Sequence, residues 1–222
     1  SFTVPQADTN TVYTHPNHSG EVTSSADGAT VIADNIVDEA NLKVSNAPTN
    51  GYLLSAQSGN TGGLTWAAAP AGITMADQWR LTSAATGLSG ASNKISSNWE
   101  RTDTTGYGTI GSAMSQSSGT FTFPATGIYL IMYKINGKST ASGNNRYANG
   151  NLYTTTDNSS YAIAARGASS AAGTLWDFET TAIFIFDVSN TSTHKVQMGY
   201  EFESTTSIYG GTNDSQTCVT FI

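Results

Sequence analysis

The chain has 222 residues, a formal net charge of −7 and one cysteine, Cys218. Nine basic residues with no visible patch weigh against nucleic acid as a partner; a single cysteine excludes an intrachain disulfide framework; and no apolar run is long enough to span a membrane as a helix. Charged residues are only 11%, with 22 glycines and much Ser, Thr and Asn, the profile of a turn-rich, all-β extracellular or virion-surface protein rather than a helical cytosolic enzyme. No signal-peptide pattern opens at Ser1, and a start without methionine is expected of a fragment or a processed product.

Residues 1–75 carry few large apolar side chains, widely spaced. Turn clusters separate them: His15-Pro16-Asn17-His18, Asp27-Gly28, Pro48-Thr49-Asn50-Gly51 and Gly59-Asn60-Thr61-Gly62-Gly63. A segment of this size buries too little to be stable alone. It reads as an extended stalk whose missing apolar cover comes from neighbouring chains. A short helix fits only at 34–42, with Ile36, Val37 and Ala40 on one side. Two pieces, THPNHSGEV at 14–22 and DEANLKVSNAPTNGYLLSAQSGNTGGLTW at 38–66, resemble stalk segments of bacteriophage tail fibres and other virion fibres, notably from marine phages. The second piece carries Leu42-Lys43, Pro48, Asn50-Gly51-Tyr52, Leu54 and Gly63-Leu64-Thr65-Trp66 in order.

Residues 67–74, AAAPAGIT, suit a hinge, and a second domain is expected over 76–222. Trp79 and Leu81 share a face of a strand at 77–82. Residues 84–92 read as a small-residue loop, 95–101 as a strand around Trp99, and 106–119 as a loop. Phe121 and Phe123 then alternate before a turn at Pro124–Gly127. From Ile128 to Ile135 the chain is apolar on both faces: Ile128, Leu130 and Met132 on one, Tyr129, Ile131, Tyr133 and Ile135 on the other. A half-solvated strand alternates; this one needs a core on one side and a further layer on the other. Strands follow at 147–154 and 161–165, around the turn Thr156-Asp157-Asn158-Ser159. A second two-faced run, Ala182–Phe186, lies within 175–188. Val196, Met198, Tyr200 and Phe202 alternate with Lys195, Gln197, Gly199, Glu201 and Glu203, the pattern of a strand with one wet face. A last strand occupies 217–222, with Cys218 as a small buried hydrophobe. Short, regularly spaced strands point to a sandwich or jelly roll.

An aromatic strand, Pro-x-x-Gly-x-Tyr and an apolar strand, here Phe121, Phe123, Pro124, Gly127 and Tyr129, resemble the globular heads of the complement component 1q and tumour necrosis factor group. That resemblance covers residues 77–222. It implies a jelly roll that assembles as a tight trimer with the last strand beside the trimer axis. Phe121, Phe123, Tyr129, Ile131, Tyr133, Phe184, Phe186 and Phe221 are then core or trimer residues.

Candidate chemistry is sparse. His15 and His18, repeated around a three-fold axis, would place six imidazoles together, a set suited to iron, nickel or zinc; a solvated turn is the plainer reading of H-P-N-H. Glu201 and Glu203, like Asp177 and Glu179, stand two apart on a strand. Carboxylates about 5–9 Å apart can hydrolyse glycosidic bonds, although acidic residues on a wet strand face are ordinary. Asp157, Asn158, Asn213 and Asp214 offer hard oxygen ligands to calcium or serve simple turns. Tyr107, Tyr147, Tyr153, Tyr161 and Tyr209 suit either sugar stacking or core packing. No G-x-S-x-G elbow, phosphate loop or Cys/His cluster is present.

The sequence therefore reads as an all-β, homotrimeric fibre protein with an intertwined stalk at 1–75 and a jelly-roll head at 76–222. It is expected outside cells, on a virion, as a tail or capsid fibre, and not as an enzyme. Its N-terminal region would join other virion proteins, and its head would bind a host-surface glycan or other receptor through loops 83–94, 102–119, 138–146 and 166–174. No cofactor is expected beyond an axial metal at His15/His18 or calcium in the head. A purely structural fibre and a polysaccharide-degrading tailspike are the alternatives.

Overall fold

The structure is a computed structural model and describes residues 22–23, 30–32, 34, 41–60, 62–70, 72–142 and 144–222. His15, His18 and most of the helix expected at 34–42 lie outside the described residues. The chain divides into two compact units, Ser1–Pro70 and Ala71–Ile222. Among the described residues all regular structure is β.

In the first unit β1 (Val22–Thr23) pairs with β2 (Val31–Ile32), and β3 (Tyr52–Ala56) with β4 (Leu64–Ala68), both antiparallel. The Asn46 side chain fastens the second hairpin to its lead-in: its Nδ2 donates to the Trp66 carbonyl at 2.8 Å, and its Oδ1 accepts from the Trp66 N–H at 2.8 Å. None of this unit's described residues is buried, and Tyr52, Leu53 and Leu54 are exposed.

The second unit contains β5 (Asp77–Leu81), β6 (Ala85–Lys94), β7 (Trp99–Arg101), β8 (Ser115–Ser117), β9 (Thr120–Thr122), β10 (Gly127–Ser139), β11 (Asn145–Thr155), β12 (Ala162–Ala171), β13 (Asp177–Val188), β14 (Lys195–Ile208) and β15 (Cys218–Phe221). One layer runs β7-β5-β15-β10-β13. The other runs β12-β11-β14, with β9 and β6 pairing the far edge of β14 and β8 outside β9. All pairings between these strands are antiparallel, and the end of β10 also pairs with β14 at 206–208, which joins the layers at one edge.

The layers close on an aromatic core. Phe121 sits 5.6 Å from Trp79, 5.5 Å from Trp99 and 5.5 Å from Phe221; Phe123 sits 4.6 Å from Tyr129 and 5.7 Å from Phe186. The apposition is tight enough at Gly150 that a Cβ there would stand 2.7 Å from Ile135 Cγ2. Gly119, at φ +73°, turns β8 into β9, where a Cβ would stand 2.2 Å from the Ile95 carbonyl oxygen.

Several expectations need correction. Residues 84–92 are not a loop: all but Ala84 belong to β6, which pairs with β14 through a shifting register. Gly87 and Gly90 bend it at positive φ, so its hydrogen bonds stabilise a strand that its small side chains do not announce. Residues 166–171 belong to β12 and not to a loop. The region 102–119 contains β8, and the strand expected at 95–101 begins only at Trp99. The supposed wet face of β14 is half covered, because side chains of the neighbouring strands engage it: Arg166 meets Glu201, Arg146 meets Glu203, and Gln197 Nε2 donates to Thr120 Oγ1 at 2.8 Å. Lys195 is buried there, its Nζ donating to Thr122 Oγ1 at 3.1 Å and the Thr191 carbonyl at 2.7 Å.

Candidate functional site

The eight residues expected in the core or trimer contact lie in the sandwich: seven are buried and Phe184 is half-buried against them. The other face of the same strands is open. In the β10–β13 register, Ile128, Leu130 and Met132 stand opposite Asp187, Ile185 and Ile183. Ile128 is 72%, Ile185 65% and Ile183 58% exposed, and Leu130 and Met132 are half-buried. Towards the far end of β10 this face turns polar, with Lys134 Nζ 3.7 Å from Glu179. At the near end Ile128 also lines a cleft of about 460 Å³ with Ile73, Met75, Pro124, Tyr129 and Ile222.

Residues 102–114 are tied down by two charged groups. The Asp77 carboxylate, with no exposed surface, accepts from Trp79 Nε1 at 3.1 Å, Arg101 Nε at 3.1 Å, Tyr107 Oη at 2.6 Å and the Met114 N–H at 2.9 Å. Arg80, fully buried, donates to Glu100 at 2.9 Å, to Thr104 Oγ1 at 2.7 Å and to Asp103. A buried charge is retained only when its partners are this complete.

The paired carboxylates do not stand free. Glu201 meets the Arg166 guanidinium at 2.8 Å, and Glu203 is bonded by the Arg146 side chain and N–H. The side-chain bond to Arg146, then its N–H, hold the Glu203 carboxyl below the usual range. Asp177 accepts from Tyr209, and Glu179 faces Lys134. Hydrolysis of a glycosidic bond needs one carboxyl free to give up a proton and a second free to act as base or nucleophile; these four are each engaged by a neighbouring side chain. Asp157 caps its own turn: it accepts from the N–H groups of Ser160 and Ser159 and from Thr155, the Ser160 bond contributing most, and its carboxyl falls well below the ordinary range. Asp214 accepts from Gln216 Nε2 at 3.1 Å. No group of three or more His, Cys, Asp or Glu able to hold a metal stands together among the described residues.

The tyrosines separate. Tyr107 and Tyr209 donate to carboxylates. Tyr153 is buried, and Lys94 Nζ stands 4.3 Å from the Tyr161 ring centroid and 5.4 Å from that of Tyr153. Tyr147 is exposed.

Two exposed apolar residues absent from the sequence-based sites are Leu175 and Trp176, in the β12–β13 connection. The Leu175 N–H donates to the Ser139 carbonyl at 2.7 Å, the Ser139 N–H to the Trp176 carbonyl at 3.0 Å, and Thr174 Oγ1 to the Ala141 carbonyl at 2.7 Å. The available signal was a tryptophan after a Gly-containing connection, masked by the apolar run that follows it.

No family model matches the chain, and no curated protein matches it. Solved structures do. The structure of Eiger TNF from S. frugiperda matches at 10% identity over 67% of this chain and 92% of that one, with a TM-score of 0.51. The crystal structure of murine APRIL at pH 5.0 matches at 8% identity over 66% and 96%, with a TM-score of 0.45. At such identities the likeness is one of fold: the chain contains a tumour necrosis factor-like jelly roll.

Proposed function

We propose that this chain is a non-enzymatic, homotrimeric virion fibre protein whose jelly-roll head binds a glycan on a host surface. The observation that carries the assembly is the open apolar face of β10 and β13, with three isoleucines more than half exposed. Contiguous apolar surface of this kind marks an interaction site, and a closed three-fold arrangement covers it on every copy. The exposed Tyr52, Leu53 and Leu54 of the first unit call for the same cover. The fibre reading draws on the stalk-like segments at 14–22 and 38–66. The arginine-paired Glu201 and Glu203 weigh against the polysaccharide-degrading reading.

The test is competition. Purified protein added before intact particles blocks their adsorption to host cells, without releasing reducing sugar from the host polysaccharide. Blocking with sugar release makes the protein a tailspike. A trimer that neither binds nor blocks is a purely structural fibre.

A further inference from the structure

We propose that Leu175 and Trp176 form the head's carbohydrate platform, and that its ligand is a neutral oligosaccharide stacked on the indole. This rests on the receptor-binding reading above and names its site.

Position is the first argument. Residues 72–75 line the cleft at the Pro124–Tyr129 end of β10. Trp176 is bonded to Ser139, at the other end of that thirteen-residue strand, about 40 Å away at the usual rise. The platform is therefore at the end of the head remote from where the chain enters it.

Presentation is the second. Trp176 is 59% and Leu175 64% exposed, while Trp79 and Trp99 are buried and Trp66 is half-buried. Leu175 holds φ at +62°, a region a leucine rarely adopts. The three bonds to Ser139 and Ala141 hold it there, and Thr140 and Ala141 are themselves bonded to the Thr205 carbonyl at 2.9 and 3.1 Å. The indole edge lies over Gly173, where a Cβ would stand 3.3 Å from Trp176 Nε1. An exposed aromatic fixed by backbone bonds loses little entropy when a ligand stacks on it.

Chemistry is the third. Charges on the strands that lead into and away from the platform stand in opposition: Lys138 of β10 faces Asp177 of β13 in register, and Arg146 at the start of β11 is paired with Glu203. Opposed charges of this kind favour neither an anion nor a cation. An open, amphipathic ring suits the apolar face of a sugar.

The intact protein is applied to an array of neutral hexose- and N-acetylhexosamine-terminated oligosaccharides, with acidic oligosaccharides beside them. The expected result is binding to one neutral set, reduced at least tenfold in Trp176→Ala at unchanged mass and circular dichroism, and partly retained in Trp176→Phe. In the wild type, a saturating neutral oligosaccharide also shields Trp176 from acrylamide quenching, a readout that needs no variant to fold. Neutral binding that survives in a folded Trp176→Ala, or quenching that the sugar leaves unchanged, overturns this site and leaves the receptor reading standing. Binding confined to acidic sugars overturns the ligand class. A protein that binds no sugar and blocks no adsorption overturns the receptor reading itself.

Discussion

Asp77 shows how one buried side chain organises its surroundings. Its four donors come from β5, β7 and residues 107 and 114, so one carboxylate fastens the long connection to the sheet edge. Burial first, then the bond to Asp77, raises the Tyr107 hydroxyl to about 12, against about 10 for free tyrosine. Tyr209 also rises to about 12, chiefly through its bond to Asp177. Burial raises Tyr129, Tyr133, Tyr161 and Tyr200 too. The folded chain thus holds these protons more tightly than the unfolded one. For Tyr107 and Tyr209 the contribution is complete below about pH 10 and is lost as pH rises through about 12; the other four act in the same direction. Urea unfolding should show a falling free energy across that window, and Tyr107→Phe should flatten part of the fall. The same variant loses a hydrogen bond to a charged group and should be less stable at pH 7 by about 1.5–3 kcal/mol. At Leu175 the expectation has the opposite sign. A leucine at φ +62° carries about 1–2 kcal/mol of strain, and glycine gives back part of that relief as chain entropy. Leu175→Gly should raise the unfolding free energy by about 0.5–1 kcal/mol, read from the same urea curves.

Among the elements, β15 is enclosed on both edges. It lies between β5 and β10 and places Val219 and Phe221 in the core with no exposed surface. A chain ending at Thr217 should lose the near-ultraviolet circular dichroism of its packed aromatics; a truncated protein that keeps that signal would show β15 to be dispensable. How far each strand was legible depended on its side chains. β10 and β13 announced themselves through continuous β-branched and aromatic residues, and the core residues followed from their alternation. β6 did not, because Ala, Ser, Gly and Asn describe a loop equally well, and its pairing with β14 depends on backbone groups that carry no side-chain pattern. β14 gave the right inward face. Its outward face misled, since the arginines that cover Glu201 and Glu203 come from β12 and β11, distant in sequence. The Trp176 platform was hidden for a related reason: exposure of a tryptophan is decided by what fails to pack on it, which local pattern does not encode.

For the whole molecule, the open face of β10 and β13 is the central fact. A core alone explains Tyr129, Ile131 and Tyr133; it leaves Ile128, Ile183 and Ile185 in water. Ile185→Arg changes an outward residue, so the head should still fold, yet it should fail to assemble, because a desolvated guanidinium without a partner is costly at an apolar contact. A variant that assembles normally would place the contact elsewhere. The most direct measurement is the mass of the intact protein in solution, by light scattering at micromolar concentration. One chain is 23.2 kDa. A homotrimeric wild type scatters at three times that, about 70 kDa, and Ile185→Arg at 23.2 kDa. A wild-type protein that scatters as a single 23.2 kDa chain would contradict that assembly.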